Sequence, residues 1–167
     1  MPTTRHASAG ILADANSAKR AEIVALLTRA YWMEMETVMS YLAQSAYLDG
    51  IRAEEIAEAL AKDVDEELGH ARAFAGRIKD LYGTPPGSMD FAAEQTFLQP
   101  LDDPTDVATV IKGVIEAESG AIEHYTRIIE ACDGVDWATQ DQVIDILRDE
   151  EGHMRTFERF LSEYTKA

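Results

Sequence analysis

The chain of 167 residues is short of cysteine, of long apolar runs and of positive charge, and each shortage excludes something. Its single cysteine, Cys132, cannot close an intrachain disulfide. The reducing cytoplasm is therefore the expected compartment, and Cys132 reads as a packing residue rather than a reactive thiol. No stretch approaches the ~18–20 unbroken apolar residues of a membrane span. The opening MPTTRHASAGILADANSAKR lacks the apolar block of a signal peptide. Lys and Arg number 15 against 31 Asp and Glu, for a formal net charge of −16. Such a surface repels nucleic acid and anionic lipid and attracts cations. Sustained strand-type alternation is missing too, which excludes a sheet-based architecture. At 46% hydrophobic residues the chain still has enough apolar material for one domain with a real core.

Punctuation divides what is there into four long periodic pieces. After a tail over residues 1–16, caps at Asp14-Ala15-Asn16-Ser17 open a run that lasts to Asp49-Gly50. A second run goes from near Ala53 to Gly83-Thr84-Pro85-Pro86, and a third from Asp103-Pro104-Thr105 to Asp133-Gly134. The fourth opens at Asp136-Trp137 and continues almost to Ala167. Each spans roughly 28–32 residues, or about 42–48 Å of helix. The breaks near 50 and 134 are short, so each joins antiparallel neighbours. The stretch from 83 to 104 is long enough to run the length of a bundle, at ~70 Å extended. The spacing predicts an all-α chain in which residues 17–167 form a four-helix bundle. It consists of two antiparallel helical hairpins joined by a crossover, with DFAAEQTFLQ as a short crossover helix.

Each helix carries an apolar stripe broken at its centre by acid. The first runs Val24, Leu27, Tyr31, Val38, Tyr41 and Ser45, interrupted by Glu34. The second runs Ile56, Leu60, Phe74, Ile78 and Leu81, with Asp63, Glu67 and His70 in the middle. The third, Val107, Ile111, Val114, Ile122, Tyr125 and Ile129, is broken by Glu118. The fourth, Val143, Leu147, Phe157, Leu161 and Tyr164, is broken by Glu150 and His153. Spacings of three and four keep each set on one side of its helix. Glu36, Glu116 and Glu151 fall off the stripes and read as solvated, while Asp63, His6 and His124 are assigned no role.

The two hairpins repeat one pattern. VDEELGHARAF at 64–74 and LRDEEGHMRTF at 147–157 share a Glu-x-x-His, a Gly before the His and a Phe four after it. Glu34 precedes Tyr41 by seven residues, as Glu118 precedes Tyr125. Such repetition indicates two halves about a pseudo-twofold axis, with four carboxylates and two imidazoles meeting at mid-bundle. Buried acids without partners cost several kcal/mol each and repel one another. Metal ions resolve that conflict. Zinc prefers Cys and His, whereas this donor set suits two hard six-coordinate ions, iron or manganese. Glu66 and Asp149, each four before a His, are candidates to orient the imidazoles. Tyr41 and Tyr125 either hydrogen-bond the ligand carboxylates or pack in the core. Gly69 and Gly152 would let neighbouring helices approach closely, at a helix cost of ~1 kcal/mol each.

Over residues 18–165 the chain resembles the ferritin-like di-iron carboxylate proteins. ILRDEEGH at 146–153 is similar to the fourth helix of bacterioferritins, and EAESGAIEHY at 116–125 to the third helix of Dps-like ferritins. The resemblance places the metal ligands, which are also the catalytic residues, at Glu34, Glu67, His70, Glu118, Glu150 and His153. It implies a ferroxidase that oxidises Fe(II) with O2 or H2O2 at two iron sites per chain and stores ferric mineral. Leu68 stands where bacterioferritins carry a haem-ligating Met, so no haem is expected. Gly120 and Ile129 stand where some Dps-like ferritins carry a thiol pair, and the lysine-rich DNA-binding tail of some Dps proteins is missing. The fourth helix is still periodic at Tyr164, so no fifth helix is expected. Phe91, Phe97 and Leu98 on the crossover suggest a subunit contact. Together these imply a Dps-like homo-oligomeric cage of about twelve chains. The alternatives are a rubrerythrin-like peroxidase, a di-iron oxygenase acting on an organic substrate, and a metal-free helical interaction module.

Overall fold

A computed structural model of the chain describes residues 9–165, leaving His6 outside the described residues. Helices α1 (Ser17–Tyr47), α2 (Glu54–Asp80), α3 (Val107–Cys132) and α4 (Trp137–Tyr164) form the bundle, with no strand among the described residues. No helix among them is long and apolar enough to cross a membrane. α1 packs along α2, α3 along α4, and the hairpins meet mainly where α1 faces α3.

The ends of these helices follow from local chemistry. Asp106 and Asp136 each accept the amide of the Thr three residues on, at 3.2 Å and 3.1 Å, capping α3 and α4. Each cap is worth about 1 kcal/mol. Gly50 (φ 102) and Gly134 (φ 69) turn the chain between paired helices in a conformation that only glycine adopts freely. Arg77 locks the far ends of α2 and α4 together. It donates to Thr139 Oγ1 and to the buried Asp136 carboxylate, both at 2.7 Å.

The core is not continuous. One apolar cluster gathers Ile23, Leu27, Phe74, Ile78, Ile128, Cys132 and Val143; the other gathers Ile56, Leu60, Val110, Ile111, Val114 and Phe157. Each fully buried Ile, Leu or Phe contributes about 1.5–3 kcal/mol. Between the two clusters lies a polar layer. Cys132 is a packing residue, and burial pushes its thiol up to about 12.

Several details differ from the sequence-based expectation. In α1 the buried face is Ile23, Leu27, Ala30, Glu34, Thr37, Val38, Tyr41 and Gln44. Val24, Tyr31 and Ser45 are only partly covered, because α1 packs on both α2 and α3 and its stripe is rotated. The tail is docked from Ile11, which is buried in the first cluster, while Arg20 donates to the carbonyls of Ile11 and Ala13. The crossover's short helix is a single 3-10 turn, Ser88–Asp90. From Phe91 to Thr96 the DFAAEQTFLQ stretch has no regular structure. Its large apolar residues are wholly or partly covered by their own chain. Phe91 lies against Trp32, while Phe97 and Leu98 join the second cluster. Leu98 is buried, whereas Phe91 and Phe97 stay half-buried.

Glu36 departs from expectation most. It is buried, and its Oε1 accepts the amides of Glu94 and Gln95 at 2.8 Å, pinning the crossover onto α1. Gln44 holds the same segment further along, donating to the carbonyls of Leu98 and Gln99. The close approach of backbones is also elsewhere than expected. A Cβ at Gly69 or Gly152 would meet nothing within 4 Å, and both lie in exposed or open positions. A Cβ at Gly113 would sit 2.9 Å from Leu98. It is there that a glycine lets the crossover lie against a helix.

Candidate metal centre

All six predicted ligand residues converge in the polar layer. Glu34, Glu67, Glu118 and Glu150 are at most 2% exposed, and His70 is 7% exposed. His70 Nδ1 lies 3.1 Å from Glu150 Oε1, 3.4 Å from Glu67 Oε2 and 3.8 Å from Glu34 Oε1. His153 Nδ1 lies 3.3 Å from Glu67 Oε1 and 3.2 Å from Glu150 Oε2. Glu67 and Glu150 thus each reach both imidazoles. Two groups result: Glu34, Glu67, His70 and Glu150, and Glu67, Glu118, Glu150 and His153. Within each, the donor atoms lie within 4.8 Å of one another.

The orientation of these atoms tests whether metal fits. Glu67 Oε1, His70 Nδ1 and Glu150 Oε1 are buried and hydrogen-bonded to nothing. His70 Nδ1 and Glu150 Oε1 are 3.1 Å apart but misdirected for a hydrogen bond, so both face shared space. Unsatisfied buried donors and acceptors cost about 1–3 kcal/mol each, and a core tolerates several together only where something else satisfies them. Carboxylate and imidazole donors suit hard or borderline divalent ions.

Around this centre the supports are arranged crosswise. The Tyr125 hydroxyl donates to Glu34 and the Tyr41 hydroxyl to Glu118, each tyrosine reaching from the other hairpin's first helix. His70 Nε2 donates to Asp149 at 3.4 Å, and His153 Nε2 donates to Glu66 at 3.3 Å. Those carboxylates turn each Nδ1 inward. Glu116 and Glu151 are exposed, as the periodicity indicates. His124 is buried but faces away, its Nε2 2.9 Å from the Leu26 carbonyl. Asp63 is a residue the sequence reading passed over. It is 8% exposed, and its carboxylate groups with Glu66 and His153. Its interruption of the second stripe was the available signal.

Burial and neighbouring charge divide the four glutamates into two kinds. Burial, reinforced by the fields of Glu67 and Glu150, pushes Glu34 and Glu118 well above the usual carboxylate range, against the pull of their tyrosines. Glu67 is the opposite case. Burial would raise it, but the facing imidazoles of His153 and His70 hold it at about 2. The imidazoles respond in kind. Burial favours their neutral forms, yet Glu150 and Glu67 lift His70 to about 10 and His153 to about 12. Without metal, protons therefore stand in for cations at this centre, and the acids are not simply four repelling charges.

A cavity of about 630 Å³ opens between α1 and α3 beneath the crossover. The buried Glu34, Glu67, Glu118 and Glu150 form its acidic floor, and Arg29, Lys112 and Phe97 also line it.

Comparison with known proteins agrees with the geometry. The chain is 29% identical over 145 residues to a Pyrococcus furiosus protein named for DNA protection during starvation, covering 84% of this chain and 77% of that protein. It is 25% identical to the bacterioferritin of Desulfovibrio desulfuricans, over 84% of this chain and 74% of that one. Among solved structures, a dodecameric thioferritin from Bacteroides fragilis superposes with a TM-score of 0.79 at 20% identity, over 88% of both chains. A ferritin-like di-iron carboxylate protein from Bacillus anthracis gives 0.76 at 22%, covering 86% of this chain and 97% of that one. Residues 24–167 match the ferritin-like domain itself, and the chain is a member of the ferritin family.

Proposed function

We propose that this chain is a ferroxidase and iron-storage protein that oxidises Fe(II) with O2 or H2O2 at a di-iron centre within each subunit. Glu34, Glu67, His70 and Glu150 hold one ion; Glu67, Glu118, Glu150 and His153 hold the other, with Glu67 and Glu150 shared. The observation that carries this reading is the pair of buried donor groups joined by two common carboxylates. Two divalent ions neutralise four carboxylates and take the chain's formal charge from −16 to −12. Manganese fits the same donors, and oxidation chemistry separates the two metals.

Fe(II) is here the substrate. Two Fe(II) ions lose one electron each. O2 accepts both electrons with two protons and leaves as H2O2, or H2O2 accepts them with two protons and leaves as two waters. The chain's own residues set the conditions. Tyr125 and Tyr41 hold Glu34 and Glu118 in place, while Asp149 and Glu66 select the tautomer that presents Nδ1 inward. The apolar clusters on either side exclude water and strengthen the field of the carboxylates. The acidic floor of the α1/α3 cavity draws cations toward the centre. Ferric product then collects in a cage of about twelve chains, a reading supported by the dodecameric structural neighbour.

The size of that cavity favours a second reading. About 630 Å³ with Met33, Phe97 and Ile115 in its wall would admit a small organic molecule, as a di-iron oxygenase requires. One experiment separates the two. Anaerobic Fe(II) is titrated into apo protein, and O2 or H2O2 is then added. Ferroxidase action predicts saturation near two irons per chain and repeated Fe(II) oxidation with no organic substrate present. A single turnover that stops until an organic compound is supplied would support the oxygenase instead.

A further inference from the structure

We propose that the cavity between α1 and α3 admits organic hydroperoxides, which the centre uses as oxidants for Fe(II), with the Thr37 hydroxyl receiving a peroxide oxygen. This rests on the ferroxidase reading above and names a further oxidant class for the same centre.

The cavity is far larger than O2 or H2O2 needs. It holds about 630 Å³, whereas a molecule of water takes only about 30 Å³. Its width comes from a difference between two matching helices. Met33, Glu36 and Thr37 of α1 line one side, and their counterparts in the repeat, Ala117, Gly120 and Ala121 of α3, line the other. The α3 wall is small and apolar there, and Ile115 and Phe97 extend it. The floor is acidic, and Arg29 and Arg127 on the lining are already paired with Glu94 and Glu123. A neutral molecule therefore fits better than an anion.

Thr37 supplies the polar anchor. It is 9% exposed, lines the cavity and lies one turn beyond Glu34 on the same helix. Thr28, Thr126 and Thr156 each donate to the carbonyl four residues back, and the buried Thr139 is bonded to both Arg77 and Asp136. Among the described residues nothing bonds the Thr37 hydroxyl, although it is buried. A buried hydroxyl without a partner costs free energy that a ligand can return. A hydroxyl both donates and accepts, which matches the O–O–H group of a hydroperoxide.

The chemistry balances with Fe(II) as the reductant. Two Fe(II) lose one electron each, the O–O bond of ROOH breaks, and two protons complete one alcohol, ROH, and one water. Thr37 donates to the alkyl-bearing oxygen as negative charge develops on it, while the alkyl group rests against Ala117, Ala121 and Ile115. An isolated Fe(II) delivers a single electron and releases an alkoxyl radical instead.

Cumene hydroperoxide tests this, because its products separate the two routes. Two-electron reduction gives cumyl alcohol, whereas the alkoxyl radical fragments to acetophenone. Full-length apo protein is loaded anaerobically with two Fe(II) per chain and mixed with cumene hydroperoxide or with H2O2. Wild type should oxidise two Fe(II) per molecule of either peroxide and yield cumyl alcohol. Gly120→Leu meets open space and should fill the cavity. It should slow oxidation by cumene hydroperoxide about tenfold or more relative to H2O2. Thr37→Val keeps the side chain's shape and should lower the cumene hydroperoxide rate roughly fivefold, with Thr37→Ser restoring it. Thr37→Val should melt no lower than wild type, since the hydroxyl it removes has no partner. Acetophenone as the main product, or a cumene hydroperoxide rate no faster than that of free Fe(II), would overturn the organic route. So would a Gly120→Leu change that slows neither peroxide or both alike, or an organic rate untouched by Thr37→Val. Each of those results leaves oxidation by H2O2 standing. Failure of both O2 and H2O2 to oxidise bound Fe(II) would overturn the ferroxidase reading, and this inference with it.

Discussion

Glu36 and Gly120 stand at matching places in the two hairpins, two residues after Glu34 and Glu118, yet they do opposite things. Glu36 is buried under the crossover and holds it by two backbone amides. Gly120 borders the open cavity, with nothing within 4 Å of where its Cβ would be. The same contrast recurs outward. Ser40 bonds Gln95 of the crossover, whereas its counterpart His124 bonds the backbone of α1. Inside, the halves agree residue by residue; outside, they differ wherever the crossover covers one and not the other. The repeat dictates the chemistry at the centre, and the connection between the halves dictates what surrounds it.

The largest way to break the inner likeness is to remove one ligand of a matched pair. Glu34→Ala and Glu118→Ala should each abolish fast iron oxidation, and by similar amounts, since each is the terminal carboxylate of one ion. Glu116→Ala, exposed and off the stripe, should stay near wild type in the same stopped-flow assay. A strong effect at Glu116 with none at Glu118 would refute the register of α3. The next effect is smaller. Asp149→Asn and Glu66→Gln remove the acceptors of the two imidazoles and should each weaken metal binding roughly 10–100-fold.

Protonation sharpens the comparison of loaded and metal-free protein. His70 and His153 rise on folding from an ordinary 6.5 to about 10 and about 12. Their contribution to stability is complete below pH 6.5 and is lost as pH rises through those values. Metal-free protein should therefore melt at lower temperature as pH is raised from about 6.5 toward 10. Metal must displace the same protons, so its affinity should rise over that window, and the gap between loaded and apo melting temperatures should widen. A gap that narrows with pH would contradict the proton-for-metal exchange.

The smallest effects separate the glycines. Gly113→Ala forces a Cβ against Leu98, whose backbone is itself left-handed at φ 56, and should cost about 1–3 kcal/mol. Gly69→Ala and Gly152→Ala meet open space on a helix and should each add about 0.5–1 kcal/mol of stability. Thermal melting of the three variants checks both signs.

Much of the centre could be read from sequence because it obeys two strict periods. A helical stripe interrupted at one height by Glu34, Glu67, Glu118 and Glu150, and a pattern repeated between hairpins, leave little freedom in where the side chains meet. The buried face of α1 was less legible, since packing against two helices rotates it by about one residue, onto Ile23, Ala30 and Gln44. Glu36 could not be read at all. Its partners lie 58 and 59 residues away on a segment without periodicity, so no local pattern marks it as buried. The crossover's own residues misled for the same reason. Phe91 and Leu98 are spaced as if for a short helix, but the hold of Gln44 on the carbonyls of Leu98 and Gln99 and the groove at Gly113 favour an irregular path with Leu98 left-handed.

The central claim is that one chain holds two ions between shared carboxylates. Crystals of apo protein soaked anaerobically in Fe(II), with diffraction collected at the iron absorption edge, test it most directly. Two anomalous peaks are expected inside each bundle, roughly 3.5–4 Å apart as in paired-metal sites. One should be ligated by His70 and the other by His153, with Glu67 and Glu150 touching both. A single peak, or iron only on the outer surface with the six side chains still paired among themselves, would contradict it.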